Sequence, residues 1–201
     1  KLTADIDLGG KEWTPIGNRE NRFGGTFDGG GHTVSNFKID LPESSFIGLF
    51  GRNIGTIMNL GVEEAKINGN EFVGGVCGYN DGVKIQNCYN TGAVSGTEYV
   101  GGVCGFNCSD VGSTVENCYN TGAVSGTKEV GGVCGRNNYG GTTQNCYNTG
   151  AVSGTEMVGG VCGKNEYGTI KTCYYNKDIC TVGGIAGNDK VSEENGSVKV
   201  S

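Results

Sequence analysis

Proline is nearly missing from this sequence, with 2 in 201 residues, and histidine and tryptophan occur once each. Without proline or a three-residue period, the 40 glycines cannot be those of a collagen chain. They also argue against helices, since each glycine in a helix interior costs roughly 1 kcal/mol and no window shows a 3.6-residue apolar period. The single histidine excludes clusters of imidazole ligands. Lys and Arg number 15 against 21 Asp and Glu, a net charge of −6, which lacks the clustered positive charge that nucleic acid or an anionic membrane requires. No apolar run approaches the ~18 residues of a membrane-spanning helix, so no membrane insertion is expected. No signal peptide heads the chain, which opens at Lys1 inside what reads as a strand, so it is expected to be a piece of a longer exported product and a monomer.

What is present is a repeat. The hexapeptide VGGVCG begins at Val73, Val100, Val130 and Val158, in steps of 27, 30 and 28 residues. Degenerate copies begin at Phe46 and Val182. A second block, NCYNTGAVSGT, begins at Asn87, Asn117 and Asn145, with weaker forms from Met58 and Thr172. The segments between the blocks (YNDGVKIQ, FNCSDVGSTVE, RNNYGGTTQ and KNEYGTIK) absorb all the length variation and therefore read as surface turns. Each repeat offers three short β-favouring pieces bounded by Gly or Asn. One such repeat is too small to bury its own core, so the coils must stack, like upon like, about 4.8 Å apart. The expected fold is all-β: a right-handed parallel β-helix of about six or seven coils with an N-terminal cap. Residues 1–44 form the cap and first coil, 45–187 the repeats, and 188–201 a C-terminal strand or linker.

Aligning the repeats predicts columns of residues. Phe37, Leu60, Cys88, Cys118, Cys146 and Cys173 share one inward position, and Phe27, Phe50, Cys77, Cys104, Cys134, Cys162 and Ala186 another. Val34, Ile57, Ile85, Val115 and Ile170 stand three places before the first column, which breaks strict alternation and requires a bend. Asn36, Asn59, Asn87, Asn117 and Asn145 sit at that bend, and Asn tolerates unusual backbone angles and can bond the Asn of the next coil. Asn53, Asn80, Asn107, Asn137 and Asn165 mark a second corner. Eight of the ten cysteines alternate with Phe, Leu or Ala, so they read as buried free thiols acting as small hydrophobes. A disulfide between the two columns of one coil and a metal site are the competing readings. Cys108 and Cys180 lie outside both columns.

The segment WTPIGNRENRFGGTFDGGGHTVSNFKI from Trp13, FIGLFG from Phe46, and the VGGVCG and NCYNTGAVSG blocks together resemble the GLUG-motif repeats of bacterial cell-surface proteins. Such repeats also occur in the non-catalytic region of IgA-specific metallopeptidases. The resemblance runs from Leu2 to about Gly187 and implies an extracellular or cell-surface β-solenoid linked to adhesion or display.

Candidate chemistry is sparse. His32, in a glycine turn, reads as structural. Asp5, Asp7 and Asp28 supply oxygens of the kind Ca²⁺ prefers, but without a calcium-loop motif they read as capping carboxylates, and no cofactor or metal is expected. No Asp or Glu column forms the acidic groove of a lyase, so no enzyme is expected. If Cys88 points inward, Tyr89 points outward, and Tyr89, Tyr119, Tyr147 and Tyr174 form an aromatic ladder, the candidate ligand surface for a host glycan or surface protein. A second candidate is the variable edge, with Tyr79, Phe106, Arg136, Tyr139, Lys164 and Tyr167. A remote third is a flat Thr91, Ala93, Ser95 and Thr97 face of the ice-binding sort. The expected function is a non-catalytic surface module for adhesion or display. The alternatives are a substrate-holding region of a secreted IgA-type metallopeptidase and a carbohydrate-binding solenoid.

Overall fold

The structure, a computed structural model, describes residues 1–180, 183–188 and 197–200. Among these every regular element is a β-strand, and the ladders between coils are parallel. One coil runs through Glu71–Gly74, Cys77–Asn80, Lys84–Asn90 and Ala93–Ser95, and the next begins at Glu98. Strands of like position pair from coil to coil, giving a six-stranded sheet through the cysteine segments alone. The chain is therefore a β-solenoid of about six turns.

The register follows the repeat. Val73, Val100, Val130 and Val158 stack, as do Cys77, Cys104, Cys134 and Cys162. Ile57, Ile85, Val115, Thr143 and Ile170 form the column before the bend. The bend is a left-handed residue: Asn59, Asn87, Asn117 and Asn145 have φ of 52–54°, and Thr172 follows at 49°. Because that corner resets the alternation, Ile85 and Cys88, three apart, both reach the core fully buried.

Three asparagine ladders tie the coils together. On the bend, Asn87 donates to Asn59, Asn117 to Asn87 and Asn145 to Asn117, at 2.9–3.3 Å. At the second corner Asn53, Asn80, Asn107, Asn137 and Asn165 are buried, each Nδ2 donating to the Oδ1 of the next at 2.7–2.9 Å. A third ladder, Asn90, Asn120 and Asn148, is just as buried. Here each side chain also donates to the carbonyl of the glycine two residues on, at 2.8 Å. Asn90 and Asn120 thus use both amide protons inside a core where an unpaired one would be costly.

The N-terminal coil is phased differently from the alignment. Val34 pairs with Val62 and Ile39 with Ile67, an offset of 28 residues that places Phe37 over Ala65 and Asn36 over Glu64. Asn36 and Glu64 share the left-handed conformation, at 55° and 52°. The corner-plus-hydrophobe pair Asn36–Phe37 thus matches Glu64–Ala65 and not Asn59–Leu60. Two different corners use the same device, and composition favoured the wrong one. Phe27 likewise lies beside Ile57, not Phe50, although the Phe27 and Phe50 rings meet at 5.1 Å. At the far end Cys162 pairs with Ile185, so Ala186 is not in the cysteine column. A one-residue slip exchanges the faces of a strand, and it turns the larger apolar side chain toward the core while Ala186 is exposed. Val182 lies outside the described residues.

The first strand, Ile6–Glu12, extends the stack by pairing with Thr33–Asp40. Trp13 packs on Phe37 with ring centroids 6.1 Å apart, and its indole N–H donates to the Leu49 carbonyl. In the tail, Ser197–Val200 pairs with Cys173–Asn176.

The eight column cysteines are buried free thiols. Their bonding differs by column: Cys77, Cys104, Cys134 and Cys162 donate to the carbonyl two residues ahead, whereas Cys88, Cys118, Cys146 and Cys173 donate to the one two residues behind. Burial pushes the Cys77, Cys118 and Cys134 thiols well above their usual range. Ellman's reagent should therefore leave all eight untouched in the native protein and label all eight in denaturant. Fewer than eight released on unfolding under anaerobic conditions would mean that the columns are cross-linked.

Candidate binding surfaces

The tyrosine ladder forms because the cysteines before it point inward. Tyr89, Tyr119, Tyr147 and Tyr174 are strand partners. Three of the four rings stack: Tyr89 on Tyr119 at 4.7 Å and 3°, and Tyr119 on Tyr147 at 4.9 Å and 5°. Rings this parallel cover one another's faces and leave their edges and hydroxyls to solvent. At the N-terminal end the Tyr89 ring packs against Gly61, where an added methyl would overlap it. Tyr89 also donates to Glu63 at 2.6 Å. Burial, then the Glu63 carboxylate, holds the Tyr89 hydroxyl protonated well above its ordinary range. The stack ends at Tyr147, which is 41% exposed, and Tyr174 makes no ring contact with it.

A second aromatic surface lies on the opposite side of the hexapeptide. The residue before each hexapeptide valine (Phe46 in the first, degenerate copy, then Phe72, Tyr99, Glu129 and Met157) has φ between 52° and 64°, an uncommon conformation for bulky side chains. The residue after each closing glycine forms the neighbouring column, Arg52, Tyr79, Phe106, Arg136 and Lys164. The two columns meet in a band. Phe46, Phe72 and Tyr99 stack at 5.0 and 4.9 Å, Tyr79 on Phe106 at 4.9 Å, and edge contacts join the rows. Arg52 caps one end over Tyr79 at 5.0 Å, and Arg136 the other over Phe106 at 5.6 Å. Left-handed backbone costs about 1–2 kcal/mol per residue, and these ring contacts offset it. Burial, the largest cause in each, pushes the Tyr79 and Tyr99 hydroxyls up to about 12.

The arginines of the band are paired internally. Arg52 holds Asp81 at 2.8 Å, and Arg136 bonds Glu166 and lies 3.5 Å from Glu129. Glu129 is 2% exposed, and burial raises its pKa against the pull of Arg136. Arg136→Met should therefore lower stability at pH 7 by about 2–3 kcal/mol, by stranding that carboxylate. An acid whose folded pKa is raised costs stability above that pKa, so part of the loss should return as pH falls through it. Urea titrations at pH 5 and 7 measure the difference; equal losses would mean that Glu129 is not the cause.

The remaining candidates stay separate. His32 Nδ1 lies 3.2 Å from Asp5, whose carboxylate also accepts the Thr33 N–H. Asp7 accepts from Gly9 and Asn36, and Asp28 from Gly30 and Asn59. Asp28 is thus the N-terminal rung of the bend ladder, and the Asn59 and Gly30 donors hold its pKa low. Along the variable edge Tyr139 and Tyr167 are exposed with ring centroids 5.2 Å apart. Thr91, Ala93 and Thr97 face solvent on the strip through Ala93–Ser95. Alignment missed the Asn90 ladder and the left-handed aromatic column. The second Asn of NCYNTG, always two before a glycine, was the available signal for the ladder; nothing in the sequence marks a positive φ at Phe72 or Tyr99.

No family model matches the chain. Among solved structures, the crystal structure of a Bacteroides ovatus protein described as an immunoglobulin A1 protease superposes with a TM-score of 0.69 at 30% identity, over 87% of this chain and 56% of that one. The two chains share the β-solenoid fold. Halomucin of Haloquadratum walsbyi is 35% identical over 106 residues, 46% of this chain but 1% of that protein. A protein of Evansella cellulosilytica described as a Gly-rich membrane protein is 46% identical over 50 residues, 25% of this chain and 6% of the relative. The solenoid thus spans about half of the solved neighbour and a small part of each curated relative. Among the described residues no helix is long and apolar enough to cross a membrane.

Proposed function

We propose that the chain is a non-catalytic solenoid module of a larger protein carried on the cell surface or secreted, and that it serves adhesion or display. The carrying observation is the unbroken register of six strands from Phe50–Asn53 to Ile185–Asn188. Such a shaft sets its outward side chains on a ~4.8 Å grid, and rigid scaffolds of that kind suit recognition along their sides. The resemblance to GLUG-motif surface repeats supports the location. The non-catalytic reading draws on the disposition of reactive groups: the eight column thiols are buried, His32 is engaged by Asp5, and Glu129 is tied to Arg136.

The test is retention of beads coated with the purified chain on mucin and host-glycoprotein surfaces, with peptide and polysaccharide hydrolysis followed in parallel. Retention without turnover is expected. Turnover by the purified chain would overturn the non-catalytic reading, and failure to be retained would overturn adhesion.

A second reading is favoured by the likeness to the protein described as an immunoglobulin A1 protease, which covers 87% of the chain. In it, the same shaft helps hold a protein substrate for a catalytic domain elsewhere in the parent. An HExxH zinc-binding segment in the parent gene would decide for this reading, and a wall-anchoring signal without one for display.

A further inference from the structure

We infer that the tyrosine ladder carries one ligand subsite, at its C-terminal end, and that it takes a single pyranose ring stacked on the open face of Tyr147. The inference rests on the adhesive reading and sharpens it. A sugar stacks through a flat aromatic face, and in this ladder the faces are nearly all spent. Tyr89 is covered by Gly61 on one side and Tyr119 on the other, and Tyr119 is covered by Tyr89 and Tyr147. Of the three stacked rings, only Tyr147 keeps a face free of another ladder ring. Its strand partner Tyr174 makes no ring contact with it, so the stacking pattern breaks at that one step.

The break is a depression and not a flat patch. A hollow of about 330 Å³ lies there, lined by Tyr147, Asn148, Thr149, Tyr174, Tyr175 and Asn176. That volume is at the small end of ligand sites, the scale of one ring and not of an oligomer. Its floor is fixed. Tyr175 is buried against Gly160 in the place that an Asn occupies in the coils below, and Asn148 is locked by bonds to Asn120 and to both backbone groups of Gly150. The walls are almost wholly apolar and the hollow is open to solvent, so a guest must offer an apolar face and keep its polar groups in water. A pyranose with axial C–H bonds on one side, of the gluco or galacto type, has that character. Its equatorial hydroxyls stay at the rim, where exposed Thr149 and half-buried Asn176 stand.

The experiment is saturation-transfer NMR on the whole chain with methyl β-glucoside, methyl β-galactoside and chitobiose, saturating the aromatic protons. Transfer should be strongest to the axial ring protons, vanish in Tyr147→Ala with affinity down about tenfold, and persist in Tyr147→Phe. It should also persist in Tyr89→Phe, which leaves the far end of the stack in place but breaks the bond to Glu63. Circular dichroism and unfolding midpoints show whether each variant is folded. Equal transfer to all sugar protons, or transfer unchanged in folded Tyr147→Ala, overturns the subsite. Binding of phenol but of none of the sugars also overturns it and assigns the hollow to an aromatic side chain of a protein partner. If glycoprotein retention survives Tyr147→Ala while the sugar signal is absent from the native chain, the subsite fails and the adhesive reading stands.

Discussion

Asn120→Ala should cost about 3–5 kcal/mol, several times the effect of an ordinary surface substitution. Asn120 is fully buried at the centre of the third ladder. It accepts from Asn90 and donates to Asn148 and to the Gly122 carbonyl, each at 2.8 Å. Removing it leaves an Asn90 N–H and the Gly122 carbonyl without partners and takes one donor from Asn148, and each buried group left unpaired costs ~1–3 kcal/mol. Asp at this position fails for a related reason, because it cannot donate and buries a charge. The contrast is Asn117, three residues away on the exposed bend ladder at φ 52°. Asn117→Ala should lose about 1–2 kcal/mol, mostly from the left-handed backbone. Asn117→Gly should lose less than Asn117→Ala, since glycine adopts that conformation freely. Asn120→Gly should rescue nothing. Urea unfolding of the four variants separates backbone from hydrogen bond, and equal costs for Asn117→Ala and Asn120→Ala would refute the buried-ladder account.

Gly122→Ala should be among the most damaging single methyls that can be added at the described glycines, costing at least about 4 kcal/mol or causing outright failure to fold. The new carbon would overlap the Gly92 carbonyl oxygen of the coil below, and the atoms it meets are backbone and cannot swing aside. Gly92 meets Ala65, and Gly150 meets Gly122, in the same way, so the glycine of NTG is fixed by the spacing between coils. Relief requires the coils to part, which also breaks the Asn90 bond to Asn120. Gly24→Ala is the control: its added carbon would meet only the Ile54 side chain, at 3.5 Å and no closer. That variant should stay within about 0.5 kcal/mol of the parent, and comparable losses at both sites would show that coil spacing is not what selects glycine.

These two sites also show how much the sequence reveals. A period read from VGGVCG and NCYNTG was enough for the solenoid, the inward cysteines and two of the three ladders, because stacking in register turns similarity along the chain into proximity in space. It misplaced Val34, Asn36, Phe37, Phe27 and Ala186, all at the ends of the stack, where a coil has a neighbour on one side only and the repeat degenerates. At Asn36 the error was chemical: left-handed corners followed by an inward hydrophobe occur at two places in this solenoid, and Glu64–Ala65 disguises one of them. The tyrosine ladder was legible as a column, but its loss of usable ring faces was not. Ring orientation depends on how each side chain leaves its strand, and no column alignment holds that information. The arginine-capped band was legible only as loop-edge residues, since its other half comes from the far side of the hexapeptide.

The central claim, six coils stacked in register, is most directly tested by a distance along the stack. Thr26, Thr56, Lys84, Thr114, Thr142 and Thr169 are successive strand partners. Spin labels on Thr26→Cys and Thr169→Cys, in a Cys108→Ser background whose column thiols stay unreactive, span five steps of ~4.8 Å. Pulsed electron resonance should give one narrow distribution near about 24 Å. A broad distribution, or one centred beyond about 35 Å, would contradict the stack.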